Sequence, residues 1–262
     1  MPRPVALITG PTSGLGEGFA RRYAVDGHDL VLVARDAQRL ERLAAELRDE
    51  AGARVEVIPA DLAVAADRAK VADRLRAGVQ VLVNNAGFGT AGEFWSADYE
   101  VLQAQLDVNV TAVMQLTHAA LPSMLAAGNG TVLNVASVAG LLPGRGSTYS
   151  ASKAWVVSFS EGLATGLSGS GVGVHALCPG FVHTEFHERA GIDMAGTASF
   201  LWLEVDDVVR ESMAHIGAGA KKKKVVIIPG LQYKALTTGG RMVPRNMVRA
   251  LTRVVIRGRD RT

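Results

Sequence analysis

Short runs of apolar, largely β-branched residues recur along the chain at positions 5–9, 29–34, 55–59, 79–84, 130–136, 172–178 and 225–228. Each is short enough to be a strand buried on both sides. Between them, helical periodicity predicts helices over 14–25, 37–51, about 63–77, 99–126, 147–168 and 205–216. Strand and helix alternate throughout. That order implies a parallel sheet with right-handed crossovers and helices on both faces, hence an α/β, doubly wound, three-layer α-β-α domain. With no linker before Gly217 and no internal repeat, residues 1–230 are expected to form a single domain.

Two regions break the rhythm. Residues 181–203 lack a clean period and contain Gly191, Gly196 and a concentration of bulky side chains, among them Phe181, Phe186, Phe200, Leu201, Trp202 and Leu203. A loop of that length in a compact domain reads as a lid, placed at about 184–204. Its apolar bulk points to a lipophilic substrate, with packing of the flap against the body or a second subunit as the alternative. His183 and His187 have no cluster of carboxylates around them, and no metal site is predicted. The second exception is residues 231–262, a basic C-terminal extension in which Arg245, Arg249, Arg253 and Arg257 recur every four residues opposite Met247, Val248, Leu251, Val254 and Val255. This is the pattern of a basic amphipathic helix. In order of preference it packs on the body or a neighbouring chain, makes peripheral contact with an anionic membrane surface, or binds nucleic acid.

The charge follows the same division. The net value is only +3, yet residues 221–262 hold twelve Lys/Arg and one acid, Asp260, leaving sixteen basic and twenty-four acidic residues elsewhere. With 48% hydrophobic and 20% charged residues the composition is that of a globular protein. A single cysteine, Cys178, excludes an internal disulfide and cysteine-rich zinc sites and fits a reducing compartment, so a cytoplasmic location is expected. The first ten residues are too short for a signal sequence, and no stretch approaches the roughly 18–20 apolar residues of a membrane span.

Candidate chemistry begins where the first strand runs into Gly10-Pro11-Thr12-Ser13-Gly14-Leu15-Gly16 and then a helix. Glycines there permit a tight turn and let backbone N–H groups approach a pyrophosphate at the helix N-terminus, as in dinucleotide-binding Rossmann folds. The second strand ends at Ala34-Arg35-Asp36, where an NAD-binding protein would offer a carboxylate to the ribose 2′-hydroxyl. Arg35 in that place favours the 2′-phosphate of NADP over NAD. Asp61 and Leu62 follow the third strand, within reach of an adenine. Asn84-Asn85-Ala86-Gly87 closes the fourth at the crevice where the strand order should reverse. Ser137 ends the fifth strand on the same side. Tyr149 and Lys153 lie four residues apart on a predicted helix, which puts phenol and ammonium side by side. A phenol titrates near pH 10, and a neighbouring cation stabilises its phenolate, so the pair can serve as an acid/base. A solvated surface pair is the bland alternative.

Taken together, Thr9-Gly10-x-x-x-Gly14-x-Gly16, Asn84-Asn85-Ala86-Gly87, Asn109, Ser137, Tyr149-x-x-x-Lys153 and Pro179-Gly180 through Thr184 resemble the short-chain dehydrogenase/reductase superfamily in its short, single-domain branch, over residues 5–229 or nearly so. The interval from Ser137 to Tyr149 is one residue shorter than is usual there, with Pro143, Gly144 and Gly146 in the gap. The resemblance implies an NAD(P)-dependent oxidoreductase interconverting a ketone or aldehyde and an alcohol. It makes Tyr149 the general acid/base, Lys153 the group that lowers the tyrosine pKa and holds the nicotinamide ribose, Ser137 a donor to the substrate oxygen, and Asn109 the holder of a water linked to Lys153. Asn85, Ala86, Gly87, Pro179, Gly180, Val182 and Thr184 would complete the cofactor site. A homodimer or homotetramer is implied as well. The alternative from another class is a non-catalytic dinucleotide-binding regulator, which would have no use for Ser137, Tyr149, Lys153 and Asn109 together.

Overall fold

The computed structural model describes residues 3–141, 147–191, 194, 196–217 and 224–242. Seven strands form one parallel sheet: β1 (Val5–Thr9), β2 (Asp29–Ala34), β3 (Val55–Pro59), β4 (Val81–Asn84), β5 (Gly130–Val135), β6 (Val172–Leu177) and, after the lid, β9 (Val226–Ile227). Their order is β3-β2-β1-β4-β5-β6-β9, every neighbouring pair parallel. The order reverses between β1 and β4, which opens the crevice at the carboxyl ends of those strands. The doubly wound fold expected from the alternation is therefore present. Four strands are shorter than the sequence pattern predicts: β4 begins at Val81, β5 and β6 end one residue early, and β9 has only two residues.

Helices α1 (Gly14–Val25), α2 (Ala37–Ala51), α3 (Ala65–Arg76), α4 (Tyr99–Leu106), α5 (Val113–Ala127) and α6 (Ser147–Gly166) alternate with the strands. The two faces of the sheet bury separate cores. Ile8, Phe19, Leu40 and Val208 belong to one, and Leu7, Leu75, Leu116 and Met124 to the other. Adjacent residues Leu7 and Ile8 thus face opposite layers, which is why the strands read as unbroken apolar runs. The predicted helix over 99–126 is continuous but not uniform: a π-helical turn, Asp107–Ala112, joins α4 to α5. Contrary to expectation, this continuous helix, Tyr99–Ala127, is long and apolar enough by length and composition to cross a membrane. Here Leu116, Ala120 and Met124 of α5 are fully buried in the core of the body.

The region read as a lid has structure of its own. Strand β7 (Phe181–Val182) pairs in parallel with β8 (Trp202–Leu203), and the short helix α7 (Phe186–Arg189) lies between them. Helix α8 (Val205–Gly217) follows, and after β9 comes α9 (Leu231–Met242). The boundary expected at 230/231 falls at the start of α9, whose Tyr233 and Thr237 are buried. The basic amphipathic segment from Val243 to Thr262, Lys221 to Lys223, and Pro143, Gly144 and Gly146 of the shortened interval lie outside the described residues.

Candidate active site

The turn after β1 is built for close approach. A methyl on Gly16 would come within 2.1 Å of the Gly10 carbonyl oxygen. Gly14 has φ +57°, and a methyl there would strike the Thr184 side chain at 2.8 Å, so the turn and the start of the lid touch. Ser13 stands at the N-cap of α1 without making a side-chain capping bond, so the first-turn amides keep their donors for an anion. Thr12, Ser13, Gly14 and Leu15 are half-buried along this turn. The turn is fixed from β4: the Asn85 side chain donates to the carbonyls of Thr9 (2.9 Å) and Gly10 (3.0 Å), while the amides of Asn85 and Ala86 donate to Thr9 Oγ1 at 3.0 and 2.9 Å. A cradle that any added Cβ would fill, with open amides, fits the pyrophosphate of a dinucleotide.

At the end of β2, Arg35 is exposed, and its side chain forms no hydrogen bond or ion pair among the described residues. Asp36 is engaged elsewhere, accepting from the Arg39 amide at 2.9 Å as the N-cap of α2 and facing the Arg39 guanidinium at 3.7 Å. Arg39 also bonds Glu185, at 3.3 Å, which ties α2 to the lid and, together with Arg189, holds the Glu185 carboxyl below its usual range. Asp61 closes a turn by accepting from Ala63 at 2.9 Å. Leu62 is a core residue, 6% exposed, and can offer a ligand only its backbone. Its carbonyl is held at 2.9 Å by the buried Arg68, which the motif reading had passed over because one arginine inside a polar helix gives no pattern.

Around the reacting end, four of the expected residues converge. A methyl on Gly87 would lie 2.9 Å from Asn109 Oδ1 and 3.2 Å from Lys153 Nζ, so Gly87, Asn109 and Lys153 meet at one point. Lys153 is 4% exposed, donates to the Val135 carbonyl at 2.8 Å, and has no carboxylate partner among the described residues. Burial pushes its ammonium down to about 8. Its Nζ stands 5.8 Å from the centroid of the Tyr149 ring. Asn109, in the π-helical turn, commits its side chain to the Phe88 backbone and to Ser152 Oγ (3.3 Å), and Ser152 in turn donates to the Tyr149 carbonyl at 2.7 Å. Asn109 thus braces the site through its side-chain amide. The Ser137 hydroxyl accepts from the Ala139 amide at 3.1 Å and makes no other bond among the described residues, which leaves its O–H to donate. The short helical turn after it, Val138–Gly140, lies directly on α6: a methyl on Gly140 would meet the Lys153 backbone at 2.6 Å.

The lid closes this side. Phe186 lies 5.8 Å from Tyr149 between ring centroids, and both flank the buried Gly89. His183 stacks on Trp202 at 4.4 Å, and His187 meets Phe181, Phe186 and Trp202 edge-on or tilted. The two histidines therefore belong to an aromatic cluster, and the described residues contain no group of three or more His, Cys, Asp or Glu fit to hold a metal. Pro179 and Val182 are buried beneath this cluster, and Thr184 sits beside Gly14. The residues that sequence reasoning missed are Ser152, Phe88 and Gly89. Ser152 was visible only as the second serine of Tyr-Ser-Ala-Ser-Lys, three residues from Tyr149.

A dinucleotide cradle at the switch point and a tyrosine–lysine pair at the carboxyl edge of the same sheet define an NAD(P)-dependent oxidoreductase acting on carbonyl and alcohol groups. Residues 4–194 match the family described as short chain dehydrogenase, and the chain belongs to that family. Sulfoacetaldehyde reductase 2 of Chromohalobacter salexigens is 38% identical over 221 residues, covering 81% of this chain and 86% of its own. A short-chain dehydrogenase from Sphingobium yanoikuyae, solved in complex with NADPH, superposes with a TM-score of 0.82 at 41% identity, over 91% of this chain and 94% of the other. One from Burkholderia phymatum, solved with NAD, gives 0.77 at 31% identity, over 90% and 92%.

Proposed function

We propose that this chain is an NADP(H)-dependent short-chain dehydrogenase/reductase that interconverts a lipophilic ketone or aldehyde and its alcohol. The observation that carries the reading is the buried, carboxylate-free Lys153 one turn from Tyr149, gathered with Asn109 at Gly87 and with the Ser137 turn docked on the same helix. A bound nicotinamide dinucleotide supplies or accepts the hydride at its C4 position. Tyr149 gives its phenolic proton to the substrate oxygen during reduction and takes it back during oxidation. Lys153 carries a positive charge below about pH 8 and stabilises the phenolate left behind. Ser137 donates its O–H to the same substrate oxygen, which fixes the reacting carbon relative to the cofactor.

The cofactor would be held by Gly10, Thr12, Ser13, Gly14, Leu15 and Gly16 at the pyrophosphate, by Asp61 and the Leu62 backbone at the adenine, and by Asn85, Ala86 and Gly87 across the crevice. Pro179, Gly180, Val182 and Thr184 line the nicotinamide. Preference for NADP rests on Arg35, free and exposed where a 2′-phosphate would lie, while the adjacent carboxylate of Asp36 is spent on a helix cap. The lipophilic substrate rests on Phe186 against Tyr149 and on the aromatic cluster behind it. Self-association as a homodimer or homotetramer is supported by exposed Tyr99, Val101, Met114 and Leu125 on one long helix, and a cytoplasmic location by the single, buried cysteine, Cys178. The basic tail is proposed to pack on the body or on a second copy, with an anionic membrane as the other outcome of a liposome flotation assay comparing the full chain with one ending at Met242.

The deciding experiment is a screen of ketones, aldehydes and alcohols that follows NADPH absorbance, with NADH run in parallel. Turnover of apolar carbonyls with NADPH is the expected result. Absence of turnover with every substrate class, in protein that binds NADPH, would overturn the catalytic assignment.

A further inference from the structure

The parallel pair formed by β7 and β8 has a side chain inserted at one of its rungs. With Phe181 opposite Trp202 and Val182 opposite Leu203, the parallel pattern directs alternate amides of β7 to the carbonyl one residue before their partner on the second strand. His183 obeys the pattern, donating to the Leu203 carbonyl at 3.0 Å. The next rung should run from the Phe181 amide to the Leu201 carbonyl. At that rung stands the hydroxyl of Tyr233, from α9, which accepts from the Phe181 amide at 2.9 Å and donates to the Leu201 carbonyl at 2.6 Å. Both bonds have ordinary hydrogen-bond lengths, so the phenol bridges the two backbone groups.

The insertion is anchored on every side. Tyr233 is 2% exposed, and its ring lies so close to Gly180 that a methyl there would fall 1.9 Å from the ring. Gln232 donates to the Phe200 carbonyl at 3.2 Å, so neighbouring residues of α9 hold two consecutive carbonyls at the end of the lid. Lys234 pairs with Glu211 of α8, and the same carboxylate accepts from the Gly230 amide at 3.1 Å, which pins the start of α9 to the body. Phe181 follows Pro179-Gly180 directly, and Leu201 leads into β8, so the phenol joins the first residue after the proposed nicotinamide loop to the last turn of the lid.

We propose that Tyr233 is a positioning residue of the oxidoreductase: its intercalated hydroxyl sets the spacing between the lid and the nicotinamide-side loop. The inference rests on the functional reading above for the identity of that loop, whereas the bridge made by Tyr233 is independent of it. Small errors in the placement of a reacting pair cost large factors in rate, and residues at lid roots typically change kcat and KM together.

Tyr233→Phe in the full chain keeps the ring against Gly180 and removes both bonds. Expected are a weaker NADPH affinity in a fluorescence titration, by on the order of fivefold, and a fall in kcat/KM on the order of tenfold with both constants altered. Amide hydrogen exchange over residues 180–186 should also speed up. Thr237→Val, which removes a buried hydroxyl bonded only to carbonyls of α9 itself, is the control: it should lower the melting temperature and leave NADPH affinity unchanged. A folded Tyr233→Phe chain with unchanged NADPH affinity and unchanged exchange at 180–186 overturns the proposal. The titration needs no substrate, so it still tests Tyr233 if the carbonyl screen fails. Should the variant not fold, exchange in the unaltered chain decides, with protection of the Phe181 amide supporting the proposal and free exchange overturning it.

Discussion

Asn109 and Phe88 exchange two hydrogen bonds: the Phe88 amide donates to Asn109 Oδ1 at 3.1 Å, and Asn109 Nδ2 donates to the Phe88 carbonyl at 3.0 Å. A fully buried side chain on the π-helical turn thereby fixes the loop that continues from Asn85-Ala86-Gly87 towards Tyr149. Asn109→Ala leaves both backbone groups of Phe88 without that partner, at a cost of about 1–3 kcal/mol. A lower melting temperature and a kcat reduced at least about tenfold are expected together. Full activity in the variant would show that the brace has no part in turnover.

Tyr149→Phe removes the one group proposed to move a proton and keeps the ring that packs against Phe186. General acid/base catalysis is worth about 10²–10⁴ in rate, so kcat should fall by that order while the NADPH dissociation constant stays within about twofold. Stopped-flow single turnovers together with an NADPH titration separate the two effects. A variant that still turns over at the original rate excludes Tyr149 as the acid/base.

The β-strands were legible because burial on both faces writes itself as runs such as Val5-Ala6-Leu7-Ile8, and the order of elements then fixed a parallel sheet. The Tyr149–Lys153 pair was legible as a spacing, since helical geometry alone puts the two side chains together. Burial of Lys153 was not, because it depends on β5 and on the turn after Ser137 closing over α6. The structure of the lid was equally hidden: strands of two residues give no periodicity, and the rung supplied by Tyr233 comes from a helix about thirty residues further on. The π-helical turn around Asn109 left no trace in composition either, as its residues continue the apolar pattern of the helices on both sides.

Arg35 makes a prediction about cofactor choice. Its guanidinium is free and exposed at the end of β2, and a planar cation there recognises a 2′-phosphate far better than a 2′-hydroxyl. Arg35→Glu should raise the KM for NADPH by on the order of ten- to a hundredfold and leave that for NADH unchanged or lower. Steady-state kinetics with both cofactors and one carbonyl substrate read the ratio. If the ratio does not move, the phosphate is bound elsewhere and the preference has another source.

Lys153 couples the site to stability. Burial lowers its pKa from an ordinary 10.5 to about 8, so the native state disfavours the charged form that the chemistry uses. Below about pH 8 both native and unfolded chains carry the proton, and the full burial penalty acts against folding. Between about pH 8 and 10.5 the unfolded chain binds more protons than the native one, so the penalty is relieved as pH rises, by at most about 1.4 kcal/mol per pH unit. Lys153→Met should abolish turnover, yet at pH 7 it should be at least as stable as the unaltered chain, because an apolar side chain of similar length fills the site without a buried charge. The difference in unfolding free energy between the two proteins, measured in urea at intervals from pH 7 to 10, should be flat up to about pH 8. Above that the unaltered chain should gain on the variant. A difference constant across the whole range would mean that Lys153 keeps an ordinary pKa in the folded chain, and a gain in the opposite direction would mean that its charged form is stabilised there.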